Sequence, residues 1–224
     1  MEIGAQVVEA AWALSRLGLV TAYGHVSARS GAYALITPPA DLGTVTPDAL
    51  LHLPLEGGLP AGVPAEGWVH TAVYQARPDV GAVVRAMPPS VFAVGARVTS
   101  LPLVHGQAAW LGERVPVHDS AHLLRTPELA AAAAAELGTG EALLLRGNGA
   151  ITTGATPGIA VARMWLLAAA CDTYLAAGEG AVPLRPAEVQ SWRAVRDELL
   201  PRLWGHLRRR TGIEGANVGD IDHP

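Results

Sequence analysis

Hydrophobic residues recur at helical spacing in some stretches of the chain and form short, compact runs in others. In the first stretch Ile3, Val7 and Leu14 fall on one helical face, and Gly18 ends the pattern. The same criteria predict helices over residues 2–17, 65–76, 126–137, 156–177 and 186–210, and a further helix from residue 88. Compact apolar or β-branched runs predict strands over residues 33–37, 80–87, 115–118, 143–146 and 150–153.

The order of these elements indicates the fold class. Helices alternate with short strands along the whole chain and no segment repeats, which is typical of an α/β domain with a central sheet. Because the strands do not alternate strictly with helices, the sheet is expected to be mixed rather than wholly parallel. Residues 213–224 carry no pattern, so we expect a single domain over residues 1–212 followed by a flexible C-terminal tail.

Composition excludes several classes of protein. Half of the 224 residues are hydrophobic, only 16% are charged and the net charge is −4. These values give ample material for one core and argue against both disorder and nucleic-acid binding. The apolar stretch at residues 158–177 contains Arg163 and Asp172, so it is interpreted as a buried helix rather than a membrane span. The chain does not show the charged start followed by an apolar run that is typical of a secretion signal. We therefore expect a cytoplasmic protein.

The reactive residue types are unusually restricted. All 16 basic residues are arginines, so neither a Schiff-base lysine nor a phosphate-loop lysine is available. Cys171 is the single cysteine, which excludes an intramolecular disulfide and a thiolate-rich metal site. It is interpreted as a small buried residue on a helix.

Histidine and carboxylate spacing gives weak signals by itself. None of the eight histidines forms a tight metal-binding motif. His118 and His122 are four residues apart, but Asp119 and Ser120 between them indicate a turn. Glu66 and His70 share one face of a predicted helix, and on pattern alone His70 packs while Glu66 faces solvent.

Two glycine-containing segments have features of ligand-binding loops. Residues 24–29, Gly-His-Val-Ser-Ala-Arg, are predicted to form a loop between a helix and a strand that presents N–H groups and hydroxyls to an anion. Residues 147–149, Gly-Asn-Gly, lack the third glycine and the following helix of a dinucleotide site. Ser27 lacks the setting of a hydrolase nucleophile.

Taken in order, these pieces resemble the class II aldolase/adducin family over residues 3–177. The matching segments are residues 18–20 with 24–29, 36–38, 66–80 with Glu66, His70 and Tyr74, 83–88, and 144–149 with Gly154. The family has Asn or His at the position of His25, and with His the chain resembles the family's decarboxylase-like branch. The resemblance implies a three-layer α/β/α fold with a mixed sheet and a homotetramer with active sites at subunit interfaces. It also implies a small anionic substrate and a lyase reaction, either aldol cleavage or condensation, or decarboxylation.

The chain departs from the family at the metal site. The resemblance implies three histidines that hold a divalent metal, but Arg85, Met87 and Asn148 occupy those positions. Arginine stays protonated, methionine is a soft ligand and a neutral amide is a weak one. No zinc or manganese cofactor is therefore expected.

Two functions follow from this departure. In the first, the chain is a metal-independent lyase in which Arg85 supplies the positive charge of the metal and Glu66 is the general acid/base. His25, Ser27, Arg29, Thr37 and Asn148 then form the substrate-binding set. Arg85 could equally do no more than pair with a buried carboxylate such as Glu66.

In the second, the chain is a non-catalytic, adducin-like binding or scaffold protein. A weaker third hypothesis is a relocated metal held by Glu66 with His25, His70 or His105. Nucleic acid and membrane are not expected as partners under any of the three.

Overall fold

A computed structural model describes residues 2–213. Its helices are α1 (Ile3–Arg16), α2 (Gly67–Ala76), α3 (Pro89–Gly95), α4 (Pro127–Leu137), α5 (Pro157–Ala177), α6 (Pro186–Arg193) and α7 (Arg196–Thr211). Its strands are β1 (His25–Ser30), β2 (Tyr33–Ile36), β3 (Leu51–Pro54), β4 (Ala82–Ala86), β5 (Ser100–Leu101), β6 (Val115–His118), β7 (Ala142–Leu145) and β8 (Gly149–Gly154). Short 3-10 helices cover Leu42–Thr44, Pro47–Ala49 and Gly106–Leu111. Of the predicted tail, residues 214–224 lie outside the described residues.

The strands form one mixed sheet in the order β3-β2-β1-β4-β8-β7-β6-β5. Only the β6–β7 pair is parallel among the described strands. Helices α1, α3 and α5 pack with one apolar cluster, and α2 and α4 pack with a second cluster across the sheet. The predicted three-layer α/β/α fold with a mixed sheet is confirmed.

Alternation along the central strands decides which side chains reach the α2 side. On β4, Val84 belongs to the α5-side cluster and Val83 to the α2-side cluster, so Arg85 also lies on the α2 side. On β1, Val26 is on the α5 side, which leaves His25 on the α2 side. His25 is the register partner of Arg85, and their side chains are therefore neighbours on one face.

The largest difference from the sequence prediction is at residues 24–29. The predicted anion-binding loop is wrong for residues 25–29, because they form β1, which is hydrogen-bonded between β2 and β4. Val26 and Ala28 are fully buried on one face of this strand. The polar residues of the segment therefore project from a strand in the centre of the sheet.

The C-terminal helix is also divided. The sequence predicts one helix over residues 186–210, but α6 ends at Arg193 and α7 begins at Arg196. Helix α6 packs on the 3-10 helix Gly106–Leu111, whereas α7 packs on α5. Because these two contact surfaces require different helix directions, the chain breaks between α6 and α7. The sequence prediction also missed β3, β5 and the 3-10 helices Leu42–Thr44 and Gly106–Leu111. A short helical turn through Leu50 follows from Thr46, Pro47 and Asp48 in the sequence, and it is present as Pro47–Ala49.

The starts of α4 and α5 agree with the sequence. Thr126 and Thr156 cap these helices, because each hydroxyl accepts a hydrogen bond from the amide three residues on. Helix α5 is long and apolar enough to cross a membrane by composition alone, but more than half of it is buried in the protein. Cys171 lies on α5 and is fully buried.

Candidate active site

A cavity of about 540 Å³ opens on the α2 side of the sheet. Its walls come from the segment before β1, the turn between β7 and β8, and the segments that precede α2 and α4. The lining side chains with polar groups are Tyr23, His25, Glu66, Arg85, Arg125 and Asn148, and Met87 and Leu123 are among the apolar ones. This cavity collects four of the seven residues predicted to act on a substrate.

Three of the lining residues form a closed hydrogen-bonded ring. Arg85 Nη2 lies 2.9 Å from Glu66 Oε2 and 2.5 Å from Asn148 Oδ1. The Asn148 amide donates to Glu66 Oε1 at 2.9 Å, and the Leu124 N–H donates to the same oxygen at 3.0 Å. Each member therefore fixes the other two, and the carboxylate accepts from three donors.

Backbone geometry brings the ring together. Glu66 is the residue before the first turn of α2, Arg85 is next to the end of β4, and Asn148 sits in a two-glycine turn. Both Gly147 and Gly149 have positive φ, at 67° and 82°, so the turn between β7 and β8 needs glycine at both places. A Cβ on Gly149 would lie 2.3 Å from the Ala86 carbonyl oxygen, which shows how closely this turn approaches β4.

Burial shapes the chemistry of the guanidinium. Arg85 is 3% exposed, and burial lowers its pKa while Glu66 opposes that shift. Its Nε has no hydrogen-bond partner among the described residues. The guanidinium as a whole lines the cavity, and a cation at a cavity wall favours an anionic ligand there.

A second chain of hydrogen bonds runs from the cavity into the core. His25 Nδ1 lies 3.1 Å from His70 Nε2, His70 Nδ1 lies 2.6 Å from Ser27 Oγ, and Ser27 Oγ lies 2.8 Å from the Tyr74 hydroxyl. Burial and the charge of Arg85 lower the pKa of His25 to about 3, and burial is the main cause that lowers the pKa of His70. Burial raises the pKa of Tyr74 well above its usual value. Both histidines and the phenol are therefore neutral at pH 7.

Three of the predicted substrate-binding residues do not line the cavity. Ser27 and Thr37 are fully buried, and Thr37 Oγ1 accepts from the Val26 N–H at 3.2 Å, which ties the chain after β2 to β1. Arg29 donates to the carbonyls of Tyr74 and Arg77 at the end of α2 and to that of Val80 beyond it, and it lies 4.8 Å from the centre of the Tyr74 ring. These three side chains stabilise the strands and the helix that surround the cavity.

The pattern-based interpretation of Glu66 and His70 is half right. His70 is fully buried and hydrogen-bonded, as expected, but Glu66 is only 8% exposed and does not face solvent. Arg85 pairs with Glu66, the arrangement that the sequence left open. Sequence reasoning missed Tyr23, Leu123 and Arg125 in the cavity wall, since they lie in connecting segments without a periodic signal.

The residues at the site do not fit a divalent metal. A guanidinium projects where the resemblance implies one ligand, and the amide oxygen of Asn148 already accepts from that guanidinium. Within residues 2–213, no group of three or more His, Cys, Asp or Glu side chains could hold a metal ion. His105 precedes the 3-10 helix Gly106–Leu111, which packs on the opposite side of the sheet, so it is not part of the cavity that Glu66 lines.

Comparison with known proteins agrees with the fold and the cavity described above. The family model of the class II aldolase and adducin N-terminal domain matches residues 5–175. A 5-methylthioribulose-1-phosphate/5-deoxyribulose-1-phosphate aldolase from Escherichia coli is 30% identical over 59% of this chain and 64% of its own length. A 3,4-dihydroxyphthalate decarboxylase from Arthrobacter keyseri is 33% identical over 56% of this chain and 58% of its own length. The chain thus matches less than two thirds of either curated relative.

Solved structures share the fold. The L-fuculose-1-phosphate aldolase of Thermus thermophilus superposes with a TM-score of 0.71 at 29% identity, covering 80% of this chain and 97% of that protein. An aldolase II superfamily protein from Pseudomonas syringae superposes with a TM-score of 0.80 at 20% identity, covering 95% and 93%. The family match extends over most of the chain and includes every element that forms the cavity. The chain therefore belongs to the class II aldolase and adducin N-terminal domain family.

Proposed function

We propose that this protein is a lyase that makes or breaks a carbon–carbon bond in a small anionic substrate without a divalent metal. Relatives that include aldolases and a decarboxylase support the reaction class. The observation that carries the proposal is the Arg85 guanidinium, buried at the cavity wall and hydrogen-bonded to both Glu66 and Asn148.

Arg85 has the chemistry to replace the electrostatic part of a metal. In a decarboxylation or a retro-aldol step, the electrons of the broken bond move onto a neighbouring carbonyl oxygen and give an enolate. A fixed cation in a water-poor site stabilises that oxygen more strongly than water does. The planar guanidinium also matches a carboxylate with two parallel hydrogen bonds.

Glu66 is the group that moves the proton. It lines the cavity through a side chain that is mostly buried, and its three donors hold it in one position. In the retro-aldol direction, it accepts the proton of the substrate hydroxyl as the carbon–carbon bond breaks. After retro-aldol cleavage, Glu66 returns that proton to the enolate carbon. In a decarboxylation no hydroxyl supplies a proton, so Glu66 first takes one from water and then delivers it to the enolate carbon.

The charge of the cavity supports an anionic substrate. Arg85 and Arg125 contribute two positive charges to the wall, and Glu66 contributes one negative charge. Because the two relatives differ in substrate, a hydroxy or keto acid, an aromatic acid and a sugar acid or sugar phosphate all belong in the test set.

The experiment is turnover by chelator-treated protein on a panel of such acids, with release of carbon dioxide or aldehyde measured. Arg85→Gln and Glu66→Gln should each lower kcat by about 10²-fold or more. The matched control is Arg163→Gln, which breaks the buried pair of Arg163 and Glu141 at the far end of β8, where the Nη1 to Oε2 distance is 2.6 Å. That control should lose stability and keep kcat. Unchanged turnover in both cavity variants would refute the proposal.

The second candidate is a binding or scaffold role. The specific observation in its favour is that Glu66 and Arg85 satisfy each other's charge, so the pair also serves as a purely structural bond. Under this candidate no acid on the panel is turned over and none raises the melting temperature. Under the lyase proposal at least one acid does both.

We also propose that the protein is a cytoplasmic cyclic homotetramer with the cavity near a subunit interface. Tyr23 is 70% exposed and Leu123 is 49% exposed at the rim of the cavity. Large apolar side chains at one edge of a site are the kind that a second subunit covers. Light scattering after size-exclusion chromatography tests the assembly, and Leu123→Asp should then shift the mass toward the monomer.

A further inference from the structure

The direction of the hydrogen bonds behind His25 can be worked out by counting protons. Tyr74 is fully buried and neutral, so its hydroxyl has one proton to donate. The side-chain partner that accepts it is Ser27 Oγ, at 2.8 Å. The Val83 backbone lowers the pKa of this phenol, which is the effect of an N–H donor and not of an acceptor, so Val83 does not take the Tyr74 proton.

The remaining bonds follow in order. Because Ser27 Oγ accepts from Tyr74, its own single proton goes to His70 Nδ1 at 2.6 Å. A neutral His70 that accepts at Nδ1 carries its proton on Nε2 and donates it to His25 Nδ1 at 3.1 Å. The reverse direction would leave the buried Tyr74 proton without an acceptor, which costs about 1–3 kcal/mol.

From this count we infer that His25 presents a fixed, neutral Nε2–H donor to the cavity, with its tautomer set by Tyr74, Ser27 and His70. His25 Nδ1 is occupied by His70, so Nε2 on the opposite side of the ring is the nitrogen available to a ligand at the cavity wall. His25 and Arg85 are register partners on β1 and β4 and lie side by side. Two donors, one neutral and one charged, then converge on the same region.

This arrangement defines which part of a substrate binds there. A pair of N–H donors suits the oxygen of a carboxylate or of an enolate and rejects a hydrogen-bond donor such as an ammonium group. It also means that His25 is a donor rather than a base in the resting site. Ser27, His70 and Tyr74 are positioning residues, since they act on the ligand only through His25. The substrate part of this inference rests on the proposed lyase function, whereas the tautomer does not.

The test is a long-range proton–nitrogen NMR spectrum of the full ¹⁵N-labelled chain at pH 7. The ring signals of His25 are assigned as those lost in His25→Asn. We expect the pattern of a neutral ring with the proton on Nε2 and none on Nδ1. A proton on Nδ1, or a doubly protonated ring, would overturn the inference.

Substitutions test what sets the tautomer. Ser27→Ala removes the donor to His70 Nδ1, and we expect a second His25 tautomer to appear. Tyr74→Phe offers the same readout if Ser27→Ala does not fold, because Ser27 then no longer has to accept a proton. The matched control is Thr153→Val, which removes a buried hydroxyl that has no hydrogen-bond partner among the described residues. A single Nε2–H tautomer that persists in both Ser27→Ala and Tyr74→Phe would show that the chain does not set it.

Oxalate serves as the probe for the ligand. Its two carboxylates should shift the His25 Nε2–H signal, and the same addition should leave the exposed His122 unchanged. A His25 signal that does not move at saturating oxalate contradicts the donor role. If His25 carries its proton on Nε2 but no acid is turned over, the lyase proposal alone is refuted. If the chain turns over an acid without metal but His25 carries its proton on Nδ1, this inference alone is refuted.

Discussion

Removal of one charge from the Glu66–Arg85 pair should destabilise the protein far more than removal of both. Arg85 is 3% exposed and the Glu66 side chain is 10% exposed, so neither charge is well hydrated in the native state. A buried charge that loses its partner typically costs about 3–5 kcal/mol, whereas replacement of both charges by apolar groups is often close to neutral.

The hydrogen bonds decide where each variant falls in that range. Arg85→Met leaves the Glu66 carboxylate with the Leu124 N–H and the Asn148 amide, so we expect a loss of about 3 kcal/mol. Glu66→Leu leaves the guanidinium with Asn148 only and its Nε still unpaired, so the loss should be about 4–5 kcal/mol. The double variant should lie within about 1–2 kcal/mol of the parent, because no stranded charge remains.

The assay is urea unfolding at one fixed protein concentration, followed by a double-mutant cycle. The Arg163–Glu141 pair is the reference, since it is also mostly buried and lies away from the cavity. At the cavity, single losses that sum to about 7–8 kcal/mol against a double-variant loss of about 1–2 kcal/mol give a coupling of about 5–7 kcal/mol. The reference cycle should give a coupling of the same sign. Single variants at the cavity that cost less than about 1 kcal/mol each, with additive effects, would refute the reasoning, because the two charges would then be hydrated.

Three shorter predictions extend the test. Chelated protein should neither gain turnover nor rise in melting temperature when zinc or manganese is added, and a metal-dependent rise in either would contradict the proposed metal independence. Because the pKa of His25 is lowered to about 3, the unfolded chain binds its proton first as the pH falls, so the free energy of unfolding should decrease below about pH 6.5. Urea unfolding at pH 7 and pH 5 should show a smaller decrease in His25→Asn, and an equal decrease would contradict the assignment. Gly149→Ala should cost about 1–3 kcal/mol in the same unfolding assay, since its φ is +82° and its Cβ would meet the Ala86 carbonyl, whereas Gly58→Ala has open space and should be neutral.

The elements that the sequence predicted well are those whose local and tertiary signals agree. Helices α4 and α5 have threonine caps, proline in the first turn and long apolar faces, so their starts were predictable. Strand β1 was missed because His25, Ser27 and Arg29 make it polar on one face. That face becomes buried against α2 only when the chain folds, so its burial cannot be predicted from the local composition.

The candidate site was predictable to the same extent. Glu66, Arg85, His25 and Asn148 could be named because family spacing identified them, and all four reach the cavity. The family spacing did not distinguish an arginine that contacts a substrate from one that forms an ion pair with Glu66, because both roles require the same buried position. The structure shows that Arg85 pairs with Glu66 and lines the cavity, so its position is compatible with both alternatives, and turnover by Arg85→Gln decides between them.

The two networks of the site have different electrostatic characters, and this difference explains why they can coexist. The Glu66–Arg85–Asn148 ring holds one positive and one negative charge, and the chain from His25 to Tyr74 is neutral throughout. A protonated His25 beside Arg85 would place two cations on adjacent strands, and Arg85 is one of the causes that keeps the pKa of His25 low. Arg85 therefore favours a neutral His25 beside it, and without the buried chain of hydrogen bonds behind it that neutral histidine would be free to turn either nitrogen to the cavity.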